Sequence, residues 1–248
     1  MTASPEQLSA ADSQRTRAPD FFMVGHSKCG TSALYEMLRS HPRIFMPDLK
    51  EPAFFATDVA TRLPQRGAEP LPRTLEEYLE LFAEAQPGQL IGEATSLYLW
   101  SHDAAAHIAR LAPAARIVAV VREPASFLHS LHMQLLQNHV ETETDLWKTI
   151  EMEHERREGR SLPRYSPRPR ALIYSERVKY VEQLRRYHDL FPPERVLVLI
   201  YDEFRDDNDA TVRKVLRFLG VDDTLDMPAL EVNRSVRVRS HRLHQFVH

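Results

Sequence analysis

The chain has 248 residues, of which 43% are hydrophobic and 27% charged, and its formal net charge is −3. This ordinary globular composition excludes a disordered polyampholyte and a basic surface spread over the whole chain, so no nucleic-acid partner is expected. The single cysteine, Cys29, excludes an intramolecular disulfide framework and a zinc cluster of several thiolates, and it fits a reducing compartment.

The organisation of the chain predicts one folded unit behind a loose tail. Residues 1–19 are small and polar and lack the apolar region of a secretory signal, so we expect a disordered N-terminal tail. Residues 20–248 show no repeat and are expected to form a single domain. The longest apolar runs have the length of strands, which predicts no membrane span and favours a cytoplasmic location.

Short apolar runs alternate with helical patterns along the chain. The first strand, residues 21–24, is followed by a loop and by a helix that ends before His41 and Pro42. The same patterns predict two more strands and three more helices, in chain order residues 116–121, 126–138, 176–190, 195–200 and 210–219. This alternation predicts a three-layer α/β fold with a central parallel sheet flanked by helices.

The loop after the first strand has the features of an anion site. It runs from Gly25 to Ser32 and opens a helix, so its backbone N–H groups and the helix dipole favour a phosphate. Lys28 adds a positive charge to this loop. In the loop of nucleoside triphosphatases the lysine directly follows the second glycine, whereas Lys28 precedes Gly30 by two positions. That order argues against an ordinary ATPase or kinase.

The lysine order resembles the loop of sulfotransferases that use 3′-phosphoadenosine 5′-phosphosulfate (PAPS). Further segments resemble the bacterial and heparan-sulfate branch of that family, in chain order Lys-Glu-Pro-Ala-Phe-Phe at 50–55, Gly-Glu-Ala-Thr-Ser-Leu-Tyr at 92–98 and Arg-Glu-Pro at 122–124. Residues 180–184, 196–204 and 218–221 are similar to later landmarks of the family. The resemblance implies a P-loop-like fold and transfer of a sulfuryl group from PAPS.

The resemblance also implies which residues bind the donor. The 5′-phosphosulfate would lie on the first loop, whose candidate residues are Ser27, Lys28, Cys29, Gly30, Thr31 and Ser32. Lys28 would neutralise the bridging oxygen as the sulfuryl group leaves, and Cys29 would only fill space. Arg122 and Ser130, eight positions apart, would hold the 3′-phosphate, and Tyr180 would contact the nucleotide.

The acceptor must lose a proton during transfer, which requires a general base. In the heparan-sulfate branch this is the glutamate of the Lys-Glu segment, so the resemblance assigns the role to Glu51, with Glu93 in reserve. The alternative for Glu51 is a structural role, in which it pairs with Lys50 or caps a turn. The branch often has a histidine two positions after this glutamate, where this chain has Ala53. Three histidines are further candidates to test, namely His26, His129 and His132.

The sequence does not identify the acceptor. We expect a hydroxyl group, with an amine as second choice, on a small molecule or a carbohydrate. Four aromatic residues form either a cleft wall or part of the core, namely Phe54, Phe55, Tyr98 and Trp100. Arginines in an insertion at 162–170 could line an open cleft for a glycan, namely Arg164, Arg168 and Arg170. Arginines near the C-terminus either close over the nucleotide, as the resemblance implies, or form a solvated face, namely Arg234, Arg237, Arg239 and Arg242. No ligand pattern for a metal is present, and the oligomeric state is open.

Three alternatives from other classes stay open at this point. A P-loop kinase would require magnesium and ATP. A nucleotide-binding module would bind PAPS without transferring sulfate, and a scaffold protein would use the pocket only for packing. The presence of both Lys28 and Glu51 argues against the last two alternatives.

Overall fold

A computed structural model describes residues 17–59, 70–164 and 169–224. These residues form a five-stranded sheet with the order β2-β3-β1-β4-β5, in which every neighbouring pair is parallel. The strands are β1 (Phe21–Gly25), β2 (Ile44–Phe45), β3 (Leu90–Ala94), β4 (Arg116–Val121) and β5 (Val196–Ile200). The predicted parallel α/β fold is confirmed.

Ten α-helices are present in the described part of the chain. In chain order they are α1 (Thr31–Arg39), α2 (Leu75–Glu80), α3 (Ala104–Leu111), α4 (Pro124–Gln137), α5 (Leu146–Glu151), α6 (Glu153–Arg157), α7 (Tyr174–Arg177), α8 (Tyr180–His188), α9 (Tyr201–Asp206) and α10 (Asn208–Leu219). Two short 3₁₀ turns, Pro169–Leu172 and Pro193–Arg195, connect some of these elements.

The central strands are buried on both faces, as a sheet covered by two helical layers requires. Along β1, Phe22 and Val24 pack into one apolar cluster, while Phe21 and Met23 pack into a second cluster. Residues of β4 alternate between the same two clusters. The alternation follows the two-residue period of a strand and explains why these runs are almost entirely apolar.

Most predicted helices agree with the structure within a few residues, but one does not. The expected helix over 176–190 is divided into α7 and α8, so the prediction of a continuous helix is wrong at this point. The side-chain amide of Gln183 donates to the carbonyl oxygens of Glu176 and Arg177, at 2.8 and 3.4 Å. These bonds occupy the carbonyls that a continuous helix would offer to its next turn.

Several predictions fall outside the described residues. These include residues 1–16 of the expected tail, residues 60–69, residues 165–168 and the C-terminal arginine cluster. Of the rest of the expected tail, Arg17 donates to Asp20 at 3.2 Å. The division into a tail and one domain stays a prediction. Within the described ranges, no helix has the length and hydropathy to cross a bilayer.

Candidate active site

The candidate residues lie where the central strands end. In a parallel sheet the carboxyl ends of neighbouring strands meet at one edge, and open α/β sheets bind ligands at that edge. The loop 25–32 follows β1, Arg122 follows β4, and Thr95 and Ser96 follow β3. The structure therefore brings together segments that lie up to about a hundred residues apart in the chain.

The first loop is shaped by two left-handed residues. Lys28 has φ 70° and Gly30 has φ 75°, a conformation that side chains rarely adopt. A Cβ atom at Gly30 would lie 3.0 Å from the rings of Tyr201 and Phe204, so glycine also provides the space for this close packing. Gly30 precedes α1 and supplies no side-chain cap, which leaves N–H groups of the first turn for an anion.

Within this loop, Cys29 is fully buried, whereas Ser27 and Lys28 are half-buried. The Cys29 thiol lies 3.8 Å from the carbonyl oxygen of Ser27. Burial raises the pKa of Cys29 to about 12, which leaves the thiol protonated and a poor nucleophile. These facts agree with a packing role for Cys29. Thr31 and Ser32 form the first turn of α1.

Arg122 joins β4 to the first loop. Its Nη1 atom donates to the carbonyl oxygen of Lys28 at 3.1 Å, and its guanidinium carbon lies 4.7 Å from the ring centre of Tyr201. The Nε atom of Arg122 is buried and has no hydrogen-bond partner among the described residues. A buried donor without a partner is costly, so this atom fits a site for an anion.

Ser130 and Tyr180 lie on the helices that flank this loop. Ser130 is half-buried on α4, two turns beyond Arg122. Tyr180 opens α8, and its ring lies 5.6 Å from the ring of His26, the second residue of the loop. Its hydroxyl group is buried without a partner in the described part of the chain, and burial raises its pKa. The structure thus places Tyr180 against the donor loop that the sequence predicts.

Glu51 follows β2 in the chain and lies beside the end of β3. Its backbone N–H donates to the carbonyl oxygen of Ala94 at 3.0 Å. One carboxylate oxygen, Oε1, accepts from Lys50 at 3.2 Å, and the other, Oε2, accepts from Ser96 at 2.9 Å. The side chain is 35% exposed, so the ion pair with Lys50 leaves it accessible to a substrate.

Glu93, the reserve candidate, is fully buried below Glu51. It accepts hydrogen bonds from Thr95 at 2.7 Å and from Tyr78 at 3.2 Å. Burial raises the pKa of Glu93 to about 7, and the negative charge of Glu51 adds to this effect. Glu93 has no exposed surface, whereas the side chain of Glu51 is partly exposed. Of the two carboxylates, Glu51 is therefore the better candidate to contact an acceptor.

Two of the three candidate histidines are packing residues. His26 is fully buried and its Nε2 lies 2.8 Å from Oε1 of Gln183. Since the amide nitrogen of Gln183 donates to backbone carbonyls, its oxygen accepts and Nε2 of His26 carries the proton. Burial lowers the pKa of His26 to about 3. His132 is buried against Tyr174, while His129 is exposed on α4.

The aromatic residues considered for an acceptor cleft are mostly core residues. Phe55, Tyr98 and Trp100 are at most 5% exposed and pack in one apolar cluster. Phe54 is half-buried and stacks on Tyr78 with ring centres 4.7 Å apart. The structure therefore supports the core interpretation for the first three. Arg170, from the predicted insertion, lies 5.1 Å from the ring centre of Trp100 and pairs with Asp58 at 3.0 Å.

Sequence reasoning missed three contacts that shape the site. Tyr201 packs on Arg122, Ser96 bonds to Glu51, and Gln183 bonds to His26. Tyr201 directly follows β5, so its place at the same sheet edge was a usable signal. For the other two contacts, the sequence carries no signal because each joins residues 45 or more positions apart.

The fold and this edge define a parallel α/β protein with an anion-binding loop between β1 and α1. Comparison with known proteins identifies the family, because a model of the sulfotransferase domain matches residues 18–241. The chain belongs to the sulfotransferase domain family. The described residues contain no group of three side chains suited to hold a metal ion.

Solved structures resemble most of this chain. A sulfotransferase from Alicyclobacillus acidocaldarius is 30% identical, with a TM-score of 0.73 over 88% of this chain and 87% of that chain. A mouse sulfotransferase solved in complex with 3′-phosphoadenosine 5′-phosphate (PAP) is 17% identical, with a TM-score of 0.51 over 88% of this chain and 64% of that chain. The second likeness concerns the fold alone.

Curated relatives match parts of the chain. Human heparan sulfate glucosamine 3-O-sulfotransferase 6 is 33% identical over 122 residues, which cover 49% of this chain and 32% of the relative. Mouse carbohydrate sulfotransferase 15 is 27% identical over 151 residues, which cover 45% of this chain and 26% of the relative. The chain thus matches about a quarter to a third of the length of these relatives.

Proposed function

We propose that this chain is a PAPS-dependent sulfotransferase that moves a sulfuryl group to an acceptor hydroxyl by in-line displacement. The observation that carries the proposal is the loop before α1, in which Lys28 and Gly30 are left-handed and no side chain caps the helix. Arg122 donates to the Lys28 carbonyl oxygen of this loop. Membership of the sulfotransferase domain family supports it. The coproduct of the reaction would be PAP.

Each residue has a defined role in the proposed reaction. The acceptor oxygen attacks sulfur, the bond from sulfur to the bridging oxygen breaks, and the acceptor proton passes to Glu51. Lys28 offsets the charge that develops on the bridging oxygen, while N–H groups at the start of α1 bind the adjacent phosphate. Arg122, with Ser130, binds the 3′-phosphate, and Tyr180 contacts the nucleotide. No residue in this scheme requires a metal ion.

The residues present fit such a donor. Gly30 leaves the first turn of α1 without a side-chain cap, and two buried polar atoms, Nε of Arg122 and the hydroxyl of Tyr180, lack partners within the described ranges. All three features face the same loop or lie on elements packed against it. Unpaired buried donors at one place favour a ligand that supplies several acceptors, as two phosphate groups do.

We further infer that the acceptor is a small molecule or a carbohydrate. The names of the curated relatives, which concern carbohydrate and heparan sulfate acceptors, support the second class. A reducing, cytoplasmic location is also proposed, because the chain has a single cysteine that is buried and carries no disulfide partner in its own sequence.

Calorimetric titration with PAP, ADP and ATP in metal-free buffer tests the donor site. We expect PAP to bind at least tenfold more tightly than ADP, and Arg122→Ala to remove most of this preference, since one charge-assisted bond contributes about 1.5–3 kcal/mol. Arg195→Ala is the matched control, because Arg195 is a half-buried arginine whose guanidinium donates to the Pro113 carbonyl at 3.1 Å. Preference for ATP, or binding only with magnesium, would reject the proposal in favour of a kinase.

A panel of hydroxyl and amine acceptors with radiolabelled PAPS then tests the transfer step. Glu51→Gln should lower the rate by at least a hundredfold while PAP affinity stays within twofold, as expected for a general base. Glu77→Gln is the control, because Glu77 caps α2 at the surface and glutamine preserves that cap. An unchanged rate in Glu51→Gln would refute its assignment as the base.

A further inference from the structure

Residues 51–53, called the Glu51 turn below, have an unfavourable backbone conformation. Glu51 has φ 62° and Ala53 has φ 52°, so two non-glycine residues within three positions are left-handed. Such residues cost of order 1 kcal/mol or more each and persist only where their surroundings hold them. The bond from the Glu51 N–H to the Ala94 carbonyl attaches one side of the turn to β3. The other side requires a separate support.

Thr95 supplies that support through its hydroxyl group. Its Oγ1 accepts from the Ala53 N–H at 3.2 Å and donates to Oε1 of Glu93 at 2.7 Å. Ala53, Thr95 and Glu93 are all buried, at 8%, 0% and 0% exposed, so water does not compete for these bonds. The hydroxyl donates its one proton to Glu93 and uses a lone pair to accept from the Ala53 N–H. Glu93 thus fixes the orientation of Thr95, and Thr95 fixes the turn.

Ser96 acts on the carboxylate itself. Its hydroxyl donates to Oε2 of Glu51 at 2.9 Å, and the residue is only 3% exposed. The second partner of Glu51 is Lys50, the residue before it in the chain. The lysine side chain is longer than that of serine and is 23% exposed. A buried serine with one rotatable bond orients a carboxylate better than a flexible lysine does.

We propose that Thr95 and Ser96 are positioning residues that hold Glu51 in its working orientation, Thr95 through the backbone and Ser96 through the carboxylate. The proposal rests on the proposed function of Glu51 as the base.

The backbone part is tested without any acceptor, by amide hydrogen exchange at Ala53 in the full chain. Thr95→Val should raise the exchange rate at least tenfold, whereas Thr95→Ser, which keeps the hydroxyl, should leave it within threefold of wild type. Tyr78→Phe is the matched control, because it removes another hydrogen bond to Glu93 and leaves the Thr95–Ala53 bond in place. Unchanged exchange in Thr95→Val would overturn the backbone part.

The carboxylate part is tested by steady-state kinetics with PAPS and an acceptor found in the panel. Ser96→Ala should lower kcat about tenfold, with KM for PAPS and PAP affinity within twofold, and Ser96→Thr should recover most of the rate. Ser101→Ala is the matched control. Ser101 is a buried serine whose hydroxyl donates to Asp58 at 2.5 Å and makes no bond to Glu51 among the described residues. It should lower the melting temperature and leave kcat unchanged.

The outcomes separate this proposal from the proposed function. If wild type binds PAP and transfers sulfate while Ser96→Ala matches its kcat, the role of Ser96 is refuted and the function stands. If Ser96→Ala loses kcat, PAP affinity and thermal stability together, Ser96 is a structural residue and the proposal is also refuted. If wild type neither binds PAP nor turns over PAPS, the proposed function fails, and the role of Ser96 in positioning a base fails with it. Exchange at Ala53 still decides whether Thr95 holds the turn.

Discussion

The buried carboxyl group of Glu93 should make the stability of this protein depend on pH. Its side chain has no exposure, and burial raises its pKa from 4.5 to about 7. A folded state with a raised pKa binds the proton more tightly than the unfolded chain does. The stabilisation is complete below about pH 4.5 and is lost as the pH rises through about 7. Glu93→Gln, which resembles the neutral acid, should remove this dependence.

The size of the effect follows from the two pKa values. The interval from 4.5 to about 7 corresponds to roughly 3 kcal/mol of unfolding free energy, at about 1.36 kcal/mol for each pH unit. The variant should therefore gain up to about 3 kcal/mol over wild type between pH 4.5 and 8. In wild type, Glu93 accepts hydrogen bonds from Thr95 and Tyr78. Replacing these bonds by those of glutamine adds a constant difference in unfolding free energy between the two proteins, because the glutamine side chain does not titrate.

Urea unfolding of both proteins at half-unit steps from pH 4.5 to 8 measures this difference. Titration of every other group is common to the two proteins and cancels. Glu182→Gln is the control, because Glu182 is an exposed glutamate on α8 and should follow wild type at every pH. A difference between wild type and Glu93→Gln that stays constant over the whole range would refute the reasoning, since it would mean that Glu93 titrates alike in both states.

Three further predictions follow from other buried groups. Burial lowers the pKa of His26 from 6.5 to about 3, so the free energy of unfolding falls as the pH drops below 6.5. His26→Gln should reduce this fall, and urea unfolding at pH 5 and pH 7 measures it. Cys29 should resist iodoacetamide at pH 8 in the native protein and react fully in urea, as mass spectrometry would show, because it is 0% exposed with a pKa of about 12. Gly25→Ala should cost about 1–3 kcal/mol in a urea titration, because its Cβ would lie 2.7 Å from the backbone oxygen of Val120.

Three strands of the sheet and the first loop were predictable because they depend on local pattern, whereas β2 and β3 were not predicted. The apolar runs at β1 and β4 are buried where parallel strands pair, and no polar residue interrupts the second run from Ile117 to Val121. The order of Lys28 and Gly30 before a helix likewise has a local physical meaning. These signals require only neighbouring residues, so one sequence is enough to detect them.

The rest of the site depends on contacts between distant segments. Gln183 ends α7 through its own amide and also reaches His26, 157 positions earlier, and no periodicity encodes either bond. The left-handed residues Glu51 and Ala53 are not glycines, and the contacts that hold this segment, from the Thr95 hydroxyl to its backbone and from the Ser96 hydroxyl to the Glu51 carboxylate, come from residues that follow β3. The sequence therefore predicts candidate side chains for the site, and the fold shows which contacts hold them.

The bond between Arg122 and the carbonyl oxygen of Lys28 makes the two ends of the proposed nucleotide site mechanically dependent. The residue assigned to the 3′-phosphate also supports the backbone of the residue assigned to the 5′-phosphosulfate. Ligand at one end would then order the other end in advance, so that a nucleotide with both phosphates gains a cooperative term that neither fragment shows. The specificity of such an enzyme for its donor would be a property of the pair of residues, and substitutions at the two positions would not be additive.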